Sequence, residues 1–137
     1  MVQGRCICTA GRLTAATYRR VMSVKRVMPV VTVDDLEGAV ESYRAVLGLD
    51  VVMNHGWIAT LADPDHRHQV SLMTRDATAP VNPSVSVEVD DVDAAHDAAV
   101  RAGLAIVHPL RDEEWGVRRF FFADRLGNVV NVLSHRA

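Results

Sequence analysis

Val31-Thr-Val-Asp-Asp-Leu-Glu-Gly-Ala39 is echoed 56 residues later by Val87-Glu-Val-Asp-Asp-Val-Asp-Ala-Ala95, and this repeat decides the architecture. Gly48-Leu49 and Gly103-Leu104 recur one residue short of the same offset. Each copy starts with a short β-branched run, Val30 to Val33 and Val85 to Val89, that reads as a strand. Each then turns at Asp-Asp, where an aspartate caps a helix and sets negative charge at its positive end. Leu36, Ala39, Val40, Tyr43, Val46 and Leu47 fall three and four apart, which predicts an amphipathic helix over about 36–47. Val92, Ala95, Ala99 and Ala102 repeat the pattern over about 92–102, and Gly48 and Gly103 stand where left-handed caps belong.

Three further strands follow each helix. In the first half they read as about 50–54, 57–62 and 69–74; in the second, 105–110, 117–123 and 128–134. The segment from Asp76 to Pro83, with two prolines and small residues, reads as a linker. The outcome is an α+β domain of two tandem βαβββ modules, 27–75 and 84–135, expected to form a curved, barrel-like mixed sheet with a cleft.

At 137 residues the chain suits one domain with a real core. Its apolar residues come in short runs rather than one stretch of about 20, so no membrane span is expected. Residues 1–26 carry six basic side chains (Arg5, Arg12, Arg19, Arg20, Lys25 and Arg26) and no acidic one, leaving nine basic against seventeen acidic in the remainder. An acidic body repels phosphate backbones, which argues against nucleic acid as a partner. Cys6 and Cys8 stand one residue apart and supply neither a fold-stapling disulfide nor a complete zinc site, consistent with a reducing cytoplasm. The basic segment is read as a disordered extension to a domain spanning 27–137, with Met22 an alternative start.

Three stretches resemble the vicinal oxygen chelate superfamily, which includes glyoxalase I, extradiol dioxygenases, epimerases, fosfomycin-resistance enzymes and bleomycin-binding proteins. They are Val33-Asp-Asp-Leu-Glu-Gly-Ala-Val-Glu-Ser-Tyr-Arg-Ala-Val-Leu-Gly48, Gly116-Val-Arg-Arg-Phe-Phe-Phe-Ala-Asp-Arg-Leu-Gly-Asn128 and Val129-Val-Asn-Val-Leu-Ser-His135. Arg125 replaces the usual proline of the second. The resemblance implies a cleft in which metal-dependent members hold a divalent cation with His, Gln or Glu. It assigns those ligand positions to Met28, Gln69 or Ser71, Ser84 and Asn131, none of which offers imidazole or carboxylate. No metal and no cofactor are therefore expected, unless the chain is a metal-dependent lyase, isomerase or dioxygenase of the same superfamily.

Other candidates are weaker. His66 and His68 have a metal-ligand spacing but lie in a turn rich in Asp, Pro and Arg. His96 falls on the second helix, and His108 and His135 stand isolated. Trp57 and Trp115 each adjoin a glycine turn, and Arg118, Phe120, Phe122 and Asn131 complete the expected ligand-binding set. The reading is a small-molecule-binding protein that sequesters an organic ligand, the alternatives being the metal-dependent enzyme and a module with no ligand.

Two outcomes are expected. Removal of residues 1–21 should leave the melting temperature unchanged within a few degrees, and a large fall in a thermal melt would show that the segment packs on the domain. The resemblance and the unpaired edges of such a sheet imply a homodimer, so light scattering at micromolar concentration should return twice the chain mass.

Overall fold

A computed structural model describes residues 22–136. The N-terminal extension expected over 1–26 falls outside the described residues as far as Val21. Its last three residues belong to the domain, because strand β1 runs over Val24–Thr32. Helix α1 follows (Leu36–Leu47), then β2 (Asp50–Asn54), β3 (Ile58–Ala62) and β4 (Gln69–Met73). The second module repeats the order with β5 (Val85–Val89), α2 (Val92–Arg101), β6 (Ala105–Asp112), β7 (Val117–Ala123) and β8 (Val129–His135).

The helices begin where side chains satisfy their free N–H groups. Asp35 accepts from the backbone N–H of Gly38, and Asp91 accepts from that of Ala94. Such a cap stabilises a helix by about 1 kcal/mol relative to alanine. Gly48 ends α1 in the left-handed conformation, at φ +68°, and donates its N–H to the Arg44 carbonyl.

All eight strands join one mixed sheet in the order β2-β3-β4-β1-β5-β8-β7-β6. Within each module the first strand lies parallel to the last, β1 beside β4 and β5 beside β8. The modules meet where β1 and β5 pair antiparallel, with Met28 opposite Ser86. The sheet curves but stays open, its terminal strands β2 and β6 having no strand partner on their outer sides among the described residues.

Strand pleating divides the residues between two faces. On one face α1 covers Ala59, Leu61 and Leu72, while α2 covers Val89, Phe120 and Val132. Each module thus has its own apolar core beneath its own helix. The residues between these positions, among them Thr60, Ser71, Arg119 and Asn131, fall on the opposite face, where the site lies.

Candidate site in the concave face of the sheet

A cavity of about 360 Å³ occupies that face. Both modules line it, with Met28 from β1, Thr60 from β3 and Ser71 from β4 on one side, and Ser86 from β5 and Asn131 from β8 on the other. These five side chains form a neutral polar centre. The Thr60 and Ser71 hydroxyls are 2.8 Å apart, and Ser71 Oγ donates to Met28 Sδ at 3.3 Å. The amide Nδ2 of Asn131 donates to Ser86 Oγ at 3.0 Å, while its Oδ1 is buried without a partner.

Aromatic side chains from the two modules meet at the wall. Trp57 and Trp115 stand edge to face, their rings 6.3 Å apart and inclined by 70°. The guanidinium carbon of Arg119 lies 5.0 Å from the Trp115 ring centre and 4.9 Å from that of Phe121, within cation–π range of both.

Arg119 is itself fixed by a buried ionic network. Its Nη1 donates to Asp76 Oδ2 at 2.8 Å, its Nε to Glu113 Oε2 at 2.7 Å and its Nη2 to Thr78 Oγ1 at 2.9 Å. His108 Nε2 lies 2.8 Å from the same Glu113 oxygen. Burial by itself would raise the pKa of both carboxyls. Hydrogen bonds from Thr78 and Arg119 outweigh it for Asp76, and contacts with His108 and Arg119 outweigh it for Glu113, so both titrate below the ordinary carboxylate range.

Elsewhere in the cavity lining, Arg26 Nη1 donates to Gln69 Oε1 at 3.0 Å, and Arg26 Nε lies 3.2 Å from Glu88. His135 Nδ1 is 2.9 Å from Glu88 Oε2. His66 also borders the cavity, whereas His68 lies in the same exposed turn without lining it.

Of the residues singled out in the sequence, Trp57, Trp115 and Asn131 line the cavity. Phe120 and Phe122 do not; they turn the other way and pack beneath α2. The alanines of α2, Ala95 and Ala99, leave the space that these rings fill. Arg118 shares their side of β7 and pairs with Asp93 at 2.9 Å and Asp112 at 3.2 Å. The residues that β7 contributes to the cavity are instead Val117 and Arg119. His108, isolated in the sequence, is buried against Glu113 and Phe121. The segment expected to be a plain linker supplies the buried Asp76. Its signal in the sequence was indirect: Arg119 sits in an apolar strand at a position that requires an anion nearby.

Residues 23–132 match the family described as the Glyoxalase/Bleomycin resistance protein/Dioxygenase superfamily. The chain belongs to this superfamily. Solved structures with a similar fold include methylmalonyl-CoA epimerase from Mycobacterium tuberculosis, with a TM-score of 0.62 and 21% identity over 90% of this chain and 96% of that one. Another, described as NAD-dependent benzaldehyde dehydrogenase from Legionella pneumophila, has a TM-score of 0.68 and 14% identity over 81% of this chain and 100% of that one. The Mn(II)-bound glyoxalase from Novosphingobium aromaticivorans gives 0.56 and 24% over 81% of this chain and 38% of that one. At these identities the likeness is one of fold. No curated protein matches the sequence.

The positions that the resemblance assigns to metal ligands carry only neutral donors. Met28, Gln69, Ser71 and Asn131 line the cavity, whereas Ser84 is exposed just before β5 and Ser86 takes its place in the wall. A thioether, hydroxyls and amides supply neither anionic oxygen nor imidazole, so this set does not fit a divalent cation. Among the described residues no group of three or more His, Cys, Asp or Glu side chains is arranged to hold a metal.

The ionic network makes a measurable contribution. Arg119→Leu would leave Asp76 buried without a cation and Glu113 with only Arg111 and His108 beside it, and should cost about 3–5 kcal/mol in urea denaturation. Because both folded pKa values are depressed, the stabilisation from these carboxylates is complete above their unfolded values and is lost as pH falls through the lower folded ones. The melting temperature should therefore hold down to about pH 5 and fall below it, with a shallower fall in Asp76→Asn. An identical acid dependence in wild type and Asp76→Asn would remove Asp76 from the account.

Proposed function

We propose that the protein is a small-molecule-binding member of its superfamily that sequesters an organic ligand in the cavity without a metal. The observation that carries this reading is the neutral centre made by Met28, Thr60, Ser71, Ser86 and Asn131, of which Met28, Ser71 and Asn131 stand at positions that the superfamily resemblance assigns to metal ligands. A cavity of about 360 Å³ falls within the size range of small-molecule sites. Its lining combines apolar and aromatic side chains with a few polar groups, the composition that holds an organic ligand by burial and fixes its orientation.

The charged groups in the wall support the same reading. Arg119 is engaged by Asp76 and Glu113, and Arg26 lies between Gln69 and Glu88. Neither arrangement resembles an acid and base poised at a reacting atom. Affinity then comes from apolar contact, with Trp57 and Trp115 as its reporters.

The test combines a metal assay with a fluorescence titration. Purified protein should carry less than stoichiometric divalent metal, and aromatic antibiotics or small keto compounds should quench tryptophan emission equally with and without chelator. Stoichiometric zinc, nickel, manganese or iron, with chelator-sensitive turnover of a keto compound, would replace this reading with that of a metal-dependent lyase or isomerase.

A further inference from the structure

Two buried polar atoms in the wall lack a hydrogen-bond partner among the described residues: Arg26 Nε, which still faces the Glu88 carboxylate at 3.2 Å, and Asn131 Oδ1, which faces no charge of opposite sign. Asn131 is 9% exposed, on β8, with Phe121 of β7 on one side and Ser86 of β5 on the other. Its Nδ2 is satisfied by Ser86 Oγ, but its Oδ1 has no donor among the described residues and is itself shielded from solvent. Buried amide oxygens are almost always paired, and one left unpaired carries a desolvation cost with nothing to offset it.

The groups around it explain why the fold does not supply the donor. Ser71 spends its hydroxyl hydrogen on Met28 Sδ. Ser86 Oγ meets the Asn131 amide at Nδ2, from which it accepts, and makes no hydrogen bond to Oδ1. Arg119, from the same strand as Phe121, directs its donors to Asp76, Glu113 and Thr78. Met28, directly across the β1–β5 pairing from Ser86, is an unbranched side chain that shifts at little cost. The centre of the cavity therefore has one acceptor in want of a donor and, on the far side of Ser86, one movable group.

We infer that the unpaired Asn131 amide oxygen selects ligands carrying a neutral N–H or O–H donor on a planar aromatic body, the ring packing near Trp57 and Trp115. This inference rests on the binding reading above and narrows it to a substrate class. Aryl carboxamides and phenols meet the requirement. Aryl carboxylates do not, because their oxygens would face the Asn131 carbonyl oxygen with two acceptors and no hydrogen between them.

The decisive comparison needs no mutation. Calorimetric titration of the full chain with 2-naphthamide, methyl 2-naphthoate and 2-naphthoate presents nearly the same ring and shape with a donor, with no donor and with an anion. The amide should bind about tenfold more tightly than the ester, the increment of one net hydrogen bond, and the anion should bind more weakly than either. Asn131→Leu, once circular dichroism shows it folded, should reduce the amide to the affinity of the ester. Equal affinities for amide and ester in the wild type would overturn the inference and leave the sequestering function standing. Preference for 2-naphthoate would show that the wall presents a donor and would also overturn it. Absence of binding by all three would remove the aromatic site itself, and the proposed function with it.

Discussion

Arg119 holds the cavity together. It reaches from β7 to Asp76 in the connection between the modules, 43 positions earlier in the chain, and to Glu113 in the turn before its own strand. Three of its nitrogens are engaged, and its plane lies close to two aromatic rings. Only a guanidinium does both, since lysine offers a single point charge and no planar face. Removing the charge would strand Asp76 and leave Glu113 to Arg111 and His108, which is why the network is far more sensitive to single substitution than its net contribution to folding suggests. The same residue positions Trp115, and Trp115 touches Trp57 of the other module.

Asp76 makes this contact because its segment is ordered by its own hydrogen bonds. The Asp76 backbone N–H donates to Asn82 Oδ1, and Asn82 Nδ2 donates in turn to Thr32 Oγ1 and to the Thr74 carbonyl. A stretch with two prolines is thereby bound to β1 and to the end of β4. The β1–β5 pairing and this bound connection join the modules on the side where the cavity opens, while each helix seals its own core on the other.

Much of this was legible in the sequence because the relevant forces are local. Asp35 and Asp91 announce helix starts through capping chemistry, and the bounds of α1 follow from the spacing of its apolar residues. The repeat gives the order of elements. Pleating also separates Phe120 and Phe122 from Phe121, but periodicity leaves open which set lies under the helix. That choice depends on the alanines of α2 and on Asp93, which meets Arg118 on the same side. Likewise β1 begins at Val24 rather than Val30 because β5 extends beside it as a template, a tertiary effect without local signature. His108 and Glu113 are only five positions apart, yet their contact depends on the irregular turn of β6 into β7.

The side chains at the centre of the cavity are neutral, which limits the chemistry they support. A cation held by carboxylate and imidazole stabilises negative charge that develops on a substrate oxygen. Asn131, Ser86, Ser71, Thr60 and Met28 provide no such charge, and the nearest cations in the wall already face anions: Arg119 faces Asp76 and Glu113, and Arg26 faces Glu88. The field inside is therefore weak, and an ion entering would lose its water without a counter-charge in exchange. A neutral molecule loses little on entry and gains apolar contact. These electrostatics are what the proposed sequestering function requires, since a neutral molecule is the kind of ligand that this set of side chains admits at least cost.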